Sequence, residues 1–271
     1  LREVRRNVRV HLEALVSADC SAKGIVRGDP RTLHEEGTVY QSLAVPFANR
    51  ITAFIDLYRN LARGRMPPPN AVTPVNGGVL HDAWVWPRSL LDRVLFFDRT
   101  DRLRVRGTAV QTSPLDRPGG IVGILGAGNF SSPFEILSAL YLDNAVAVYK
   151  AHPINGGSTA VWADIMEPLV RVNALAFCDP AAGQVLVSDP RLTRIFFTGG
   201  ASTAEKIAAS TATPLVSECG GNNPYIVVPG VRPWTDAQIR HQARLLATFT
   251  RVSGGSVCAR PQTIVTCGRW P

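Results

Sequence analysis

From residue 118 onward the chain alternates two kinds of segment, and that alternation constrains the fold more than any other feature. PGGIVGILGAGNF, NAVAVYK and TRIFFTGG carry short, continuous apolar runs rich in β-branched and aromatic residues. Between them, SSPFEILSALYLD, GGSTAVWADIMEPLVRV and ASTAEKIAAS repeat their apolar residues at helical spacing. A strand that is apolar on both sides must be covered on both faces, and intervening helices provide the cover. The pattern therefore predicts an α/β fold with a parallel sheet and helices on both faces. Such sheets bind ligands at the carboxyl ends of their strands, often nucleotides. GQVLVSDP also reads as strand-like, and PLVSECGGNNPYIVV as two short strands around a Gly-Gly turn. Ser131 or Ser132 is expected to cap the first helix, with Pro133 near its start. WTDAQIRHQARLLATFTRV predicts a long helix capped by Thr235 or Asp236. SGGSVCARPQTIVT is a loop running into a strand, QTIVT at 262–266, which is expected to be unpaired and therefore prone to aggregate.

The first hundred residues are of another kind. LREVRRNVRVHLEALV places Val4, Val8, Leu12 and Leu15 on one helical face. Phe47 to Arg63 predicts an amphipathic helix, stopped before RMPPPN. Residues 66–88, rich in Pro, Gly and Asn, read as a long loop. LLDRVLFFDR suggests a short helix, and RLRVRGTAVQT a strand or hairpin arm around 102–112.

A net charge of +8 invites a nucleic-acid partner. The basic excess lies in the first 110 residues, but as scattered arginines mixed with acids, without a block of five like charges. A solvated basic surface explains it, and no nucleic-acid partner is expected. No run of eighteen apolar residues occurs, so no membrane partner is expected. The five cysteines are widely spaced, without a CxxC pair, and the five histidines lack ligand spacing, so no metal site is expected. An odd number of cysteines in a chain of 271 residues points to free thiols in a reducing, cytoplasmic setting.

Three segments combine small residues with a reactive side chain where an element ends. GAGNF places Asn129 between a strand and a helix. SECGGNNP places Glu218 at a strand end. SGGSVCARP places Cys258 behind a glycine pair. Each has a plain structural explanation: a helix cap, an exposed turn acid, a small buried hydrophobe.

Together they resemble the aldehyde dehydrogenases. GAGNF stands where that family has a P-W-N-type motif, YKAHP with Lys150 where it has K-P-S-E, and FFTGG where it has F-T-G-S. Glu218-Cys219-Gly220-Gly221-Asn222 stands for E-L-G-G-K, and Gly255-Ser256-Val257-Cys258 for G-Q-x-C. The order agrees over residues 118–263, as does the forty-residue interval between Glu218 and Cys258. The resemblance implies a Rossmann-like sheet holding NAD or NADP and a small-molecule aldehyde as substrate. It implies Cys258 as the nucleophile, Asn129 as an oxyanion donor and Glu218 as the base that activates water. Lys150, Gly199, Gly200, Gly220 and Ala127 are its expected cofactor-binding residues. Residues 1–100 are then the N-terminal helical part of the cofactor domain, 101–250 the dinucleotide-binding domain, and 251–271 the start of a second, catalytic α/β domain. Family members form homo-oligomers, through an arm whose first strands would lie near 102–112.

The departures are specific. Gly128 stands where the family has Trp, and Pro153 where an acidic residue binds the cofactor ribose, which leaves NAD against NADP open. Cys219 and Asn222 replace Leu and Lys. Alternative readings are a CoA-acylating dehydrogenase or acyl reductase, and a truncated, non-catalytic remnant that keeps at most dinucleotide binding. The family continues far beyond its cysteine, so the expectation is negligible turnover by a chain that stops thirteen residues after Cys258.

Overall fold

Five parallel strands form the central sheet, in the order β6-β5-β4-β7-β8. The computed structural model describes residues 1–107, 110–228 and 230–267. In chain order the helices and strands are α1 (Arg2–Val10), α2 (Leu12–Ala22), α3 (Leu33–Leu61), β1 (Ala71–Val75), β2 (Leu80–Trp86), α4 (Leu90–Leu95) and β3 (Asp101–Arg106). They continue with β4 (Ile121–Leu125), α5 (Phe134–Tyr141), β5 (Val146–Lys150), α6 (Gly156–Val170), β6 (Leu175–Cys178) and α7 (Gly183–Val187). The remainder are β7 (Leu192–Gly199), α8 (Ala201–Ser210), β8 (Leu215–Cys219), β9 (Asn223–Val227), α9 (Asp236–Arg251) and β10 (Pro261–Thr266). Two units are distinguished: Leu1–Thr52 with the described residues from Pro118 onward, and Ala53–Arg117.

In the larger unit the chain moves outward from β4 to β5 and β6, then returns to the other side of β4 for β7 and β8. The strand order therefore reverses at β4, and a crevice opens outside the carboxyl ends of β4 and β7. The register aligns those ends. Leu125 lies opposite both Lys150 and Phe197, and Thr198 opposite Glu218. One buried cluster joins Leu125, Leu192 and Ile195 of the sheet to Leu186 of α7 and Ile207 of α8. A second packing centre joins α3, α5 and α6. The Phe47 ring lies 4.6 Å from that of Trp162 and 5.9 Å from that of Phe134.

The structure changes several expectations. GQVLV forms α7, not a strand, and the strand of that region is β6, four residues long. A five-residue apolar segment is too short for periodicity to separate helix from strand. The cap of α5 is Pro133, not a serine. The Ser131 hydroxyl instead donates to Asp19 Oδ1 at 2.8 Å, so tertiary contact has overridden capping. The first helix breaks at His11 into α1 and α2, and the second begins at Leu33 and carries Pro46 inside it. QTIVT does have a partner: β10 pairs in parallel with β9. Thr235 caps α9 in a reciprocal capping box with Gln238.

In the smaller unit, the expected loop at 66–88 contains an antiparallel pair, β1 with β2, and β2 also pairs with β3. Asn76 (φ 53°) and Gly77 (φ 65°) make the left-handed turn between β1 and β2. Pro74 masks the strand in the sequence, yet an edge strand tolerates it. The expected arm near 102–112 is β3 as far as Arg106, and its positions 108–109 lie outside the described residues.

No helix among the described residues is long and apolar enough to cross a membrane. Among the same residues no group of three or more His, Cys, Asp or Glu could hold a metal ion.

Candidate active site

Asn129, Glu218 and Cys258 line one cleft of about 550 Å³ in the larger unit, together with Ala127, Phe130, Phe134, Glu135, Tyr149 and Thr198. Each arrives from a different element. Asn129 lies on the loop after β4, Glu218 near the end of β8, and Cys258 on the loop after α9. Glu218 and Cys258 are exposed to solvent and Asn129 is half-buried.

The Cys258 loop has an unusual backbone. Ser253, Gly254 and Gly255 are consecutive left-handed residues, with φ of 52°, 68° and 74°. Glycine adopts that conformation freely, but serine does so at a cost of about 1 kcal/mol or more. Ser253 is nevertheless fully buried, and each of its polar groups is engaged. Its N–H donates to Thr38 Oγ1 at 2.7 Å, its hydroxyl accepts from Lys23 Nζ at 2.7 Å, and its carbonyl accepts from the Ser256 hydroxyl at 2.7 Å. Arg251, immediately before the loop, forms an ion pair with Glu35 of α3. Farther along, Asn129 Nδ2 donates to the Ser256 carbonyl at 2.8 Å, and Asn223 Nδ2 donates to the Cys258 carbonyl.

Gly221 explains part of the Gly-Gly motif. Its φ is +145°, and a Cβ there would sit 2.7 Å from the Cys258 carbonyl oxygen. The loop after Glu218 thus approaches the Cys258 backbone as closely as only glycine allows.

A second cleft of about 420 Å³ adjoins the first and shares Gly126, Phe197 and Thr198 with it. Lys150, Gly199 and Gly200 line it, with His152, Pro153 and Thr203. Gly200 is the N-cap of α8, and no side chain caps that end. The first N–H groups of α8 and the Lys150 ammonium suit a phosphate-bearing ligand. Among the described residues lining this cleft there is no Asp or Glu. Of the other expected cofactor residues, Ala127 lines the first cleft and Gly220 (φ +85°) lines neither.

The structure adds residues that sequence reasoning passed over. Burial pushes the Glu135 carboxyl above the usual glutamate range; Arg50 opposes the shift and nearby Glu218 adds to it. Burial also pushes the Tyr149 hydroxyl up, with Glu135 contributing. Phe130 and Phe134 stack at 5.7 Å, and the Arg50 guanidinium lies 5.0 Å from the Phe134 ring centroid. Glu135 offered no signal, because an acid in the first turn of a helix is ordinarily a dipole partner in water.

The aldehyde dehydrogenase family model matches residues 101–266, more than half of the sequence. The chain belongs to the aldehyde dehydrogenase family. N-succinylglutamate 5-semialdehyde dehydrogenase of Novosphingobium aromaticivorans is 26% identical over 243 residues, covering 82% of this chain and 49% of that protein. The fold is that of solved family members. Betaine aldehyde dehydrogenase of Staphylococcus aureus, solved with NAD+, superposes with a TM-score of 0.63 at 17% identity, over 98% of this chain and 44% of that one. Succinic semialdehyde dehydrogenase of Streptococcus pyogenes, solved with NADP+, gives 0.58 at 13% identity, over 97% and 48%. The chain thus spans about half the length of the relatives it matches.

Proposed function

We propose that this aldehyde dehydrogenase chain carries the cofactor cleft and the nucleophile of an enzyme that oxidises an aldehyde to a carboxylic acid with NAD or NADP. The observation that carries the reading is the convergence of Cys258, Glu218 and Asn129 on one cleft, next to a second cleft lined by Lys150 and the start of α8. In this reading residues 101–250 are the dinucleotide-binding domain, 1–100 its helical part, and 251–271 the opening of a catalytic domain. All five cysteines are free, which supports a reducing, cytoplasmic setting.

Cys258 Sγ attacks the aldehyde carbon as a thiolate, since sulfur adds to carbonyls well and later leaves well. The resulting oxyanion takes a hydrogen bond from the Asn129 amide. That NH2 group has two donors, and one is engaged by the Ser256 carbonyl, so one remains for the adduct. A single donor of this kind is worth about 3 kcal/mol to the transition state. The cofactor, when bound, supplies the hydride acceptor. Glu218 then takes a proton from water, which attacks the Cys258 thioester and releases the acid. Lys150 would hold the cofactor's ribose hydroxyls and the α8 N-terminus its phosphates. Pro153 lines the cleft where a carboxylate would read the ribose 2′-hydroxyl, so the cofactor is NAD or NADP. Glu218 favours hydrolysis of the thioester over transfer to coenzyme A.

A single-turnover assay tests the proposal. The chain, mixed at stoichiometric concentration with cofactor and an aldehyde, forms up to one equivalent of reduced cofactor. Cys258→Ala abolishes the burst, and Lys150→Ala weakens cofactor binding about tenfold, the effect of roughly 1.4 kcal/mol. Cofactor binding without a Cys258-dependent burst would favour the non-catalytic remnant.

A further inference from the structure

Asp19 is completely buried on α2, and its only charged partner among the described ion pairs is Lys23, one turn later and 8% exposed. A buried pair of this kind contributes little net stability compared with apolar packing, so its location is informative. The two carboxylate oxygens reach in different directions. Asp19 Oδ1 accepts from the Ser131 hydroxyl at 2.8 Å, two residues beyond Asn129. Asp19 Oδ2 holds Lys23, whose ammonium also donates to Ser253 Oγ at 2.7 Å, five residues before Cys258. The same ammonium lies 6.0 Å from the ring centroid of Phe130, the neighbour of Asn129 and a wall of the cleft.

We propose that Asp19 and Lys23 are positioning residues that hold the Cys258 loop and the Asn129 loop in a common register, through Ser253 and Ser131. The inference rests on Cys258 being the nucleophile. The chain Ser131–Asp19–Lys23–Ser253 fixes two loops that come from sequence positions more than a hundred residues apart. It also supplies one of the three hydrogen bonds that hold Ser253 in its left-handed conformation, beside those of Thr38 and Ser256. Reaction between Cys258 and a carbonyl needs the thiolate and the Asn129 amide on the same small target, and an error of about 1 Å in such placement costs up to about a hundredfold in rate.

The test is alkylation of the full chain with chloroacetone, whose ketone carbonyl takes the Asn129 amide as an aldehyde would, followed by mass spectrometry of each cysteine peptide. In the parent chain Cys258 reacts ahead of Cys219 and Cys267, which are also exposed, and buried Cys20 stays protected. Lys23→Met slows Cys258 about tenfold, leaves Cys219 and Cys267 unchanged, and keeps Cys20 protected. Lys23→Arg, which retains a cationic donor, restores the parent rate. Ser253→Gly removes the tether while relieving the backbone strain, so it slows Cys258 without unfolding the chain. If Lys23→Met exposes Cys20, Ser253→Gly decides. A Cys258 rate unchanged or raised in Ser253→Gly, with Cys20 protected, overturns the positioning role. A Cys258 no faster than Cys219 in the parent overturns instead the reading of Cys258 as the nucleophile.

Discussion

A Cβ at position 221 would meet the Cys258 carbonyl oxygen at 2.7 Å, on a backbone whose φ of +145° L-residues rarely adopt. Gly221→Ala is therefore expected to destabilise the chain by about 1–3 kcal/mol. It should also slow Cys258 alkylation, because relief of the clash has to move the Cys258 backbone. Urea melts and peptide-resolved labelling check both effects, and a neutral result would mean that the two loops do not meet as described. That Asn129, Glu218 and Cys258 line one cleft was legible only from the order of their motifs, since each alone reads as an ordinary cap, turn acid or small hydrophobe. Asp19 and Lys23 were not. An acid and a base four apart on a helix ordinarily form a solvated surface pair worth a few tenths of a kcal/mol, and only the packing around α2 reveals that this one is buried. Lys23 did carry a faint signal, as one of just three lysines in a chain with 29 basic residues.

The parallel sheet was legible at the scale of elements because its strands are continuous apolar runs with helices between them. What escaped was short or locally ambiguous. β6 and α7 are four and five residues long, below the length at which periodicity discriminates. β1 and β2 were hidden among prolines, although Asn76-Gly77 marks a hairpin. The end of α9 matters to the site because the Cys258 loop hangs from it. At its start, Thr235 Oγ1 accepts from the Gln238 N–H at 3.3 Å, and the Gln238 side chain accepts from the Thr235 N–H at 2.9 Å. Thr235→Ala should lower stability by about 1 kcal/mol, read by chemical denaturation. Because the cap lies at the far end of α9 from the Cys258 loop, the thiol's alkylation rate should stay unchanged; a rate that fell with the cap would mean that α9 moves as a whole with the loop.

Across the larger unit, chain topology does what no local segment can. Reversal of strand order at β4 opens the crevice, and strand register brings Lys150, Thr198 and Glu218 to the same edge of the sheet. The loop after α9 then delivers Cys258 to that edge, tied down by α2 and α3 through Lys23, Thr38 and Glu35. The order of motifs made the crevice predictable from sequence, whereas the tethers depend on contacts between residues more than two hundred positions apart. The central claim is that this assembly presents Cys258 to an aldehyde carbon. Peptide mapping of the full chain after incubation with an aldehyde and NAD or NADP tests it most directly. The account predicts an acyl thioester on Cys258, persisting longer in Glu218→Gln because water is no longer activated, and absent without the cofactor. Acylation of Cys219 or Cys267 in place of Cys258, or a thioester that turns over equally fast in Glu218→Gln, would contradict it.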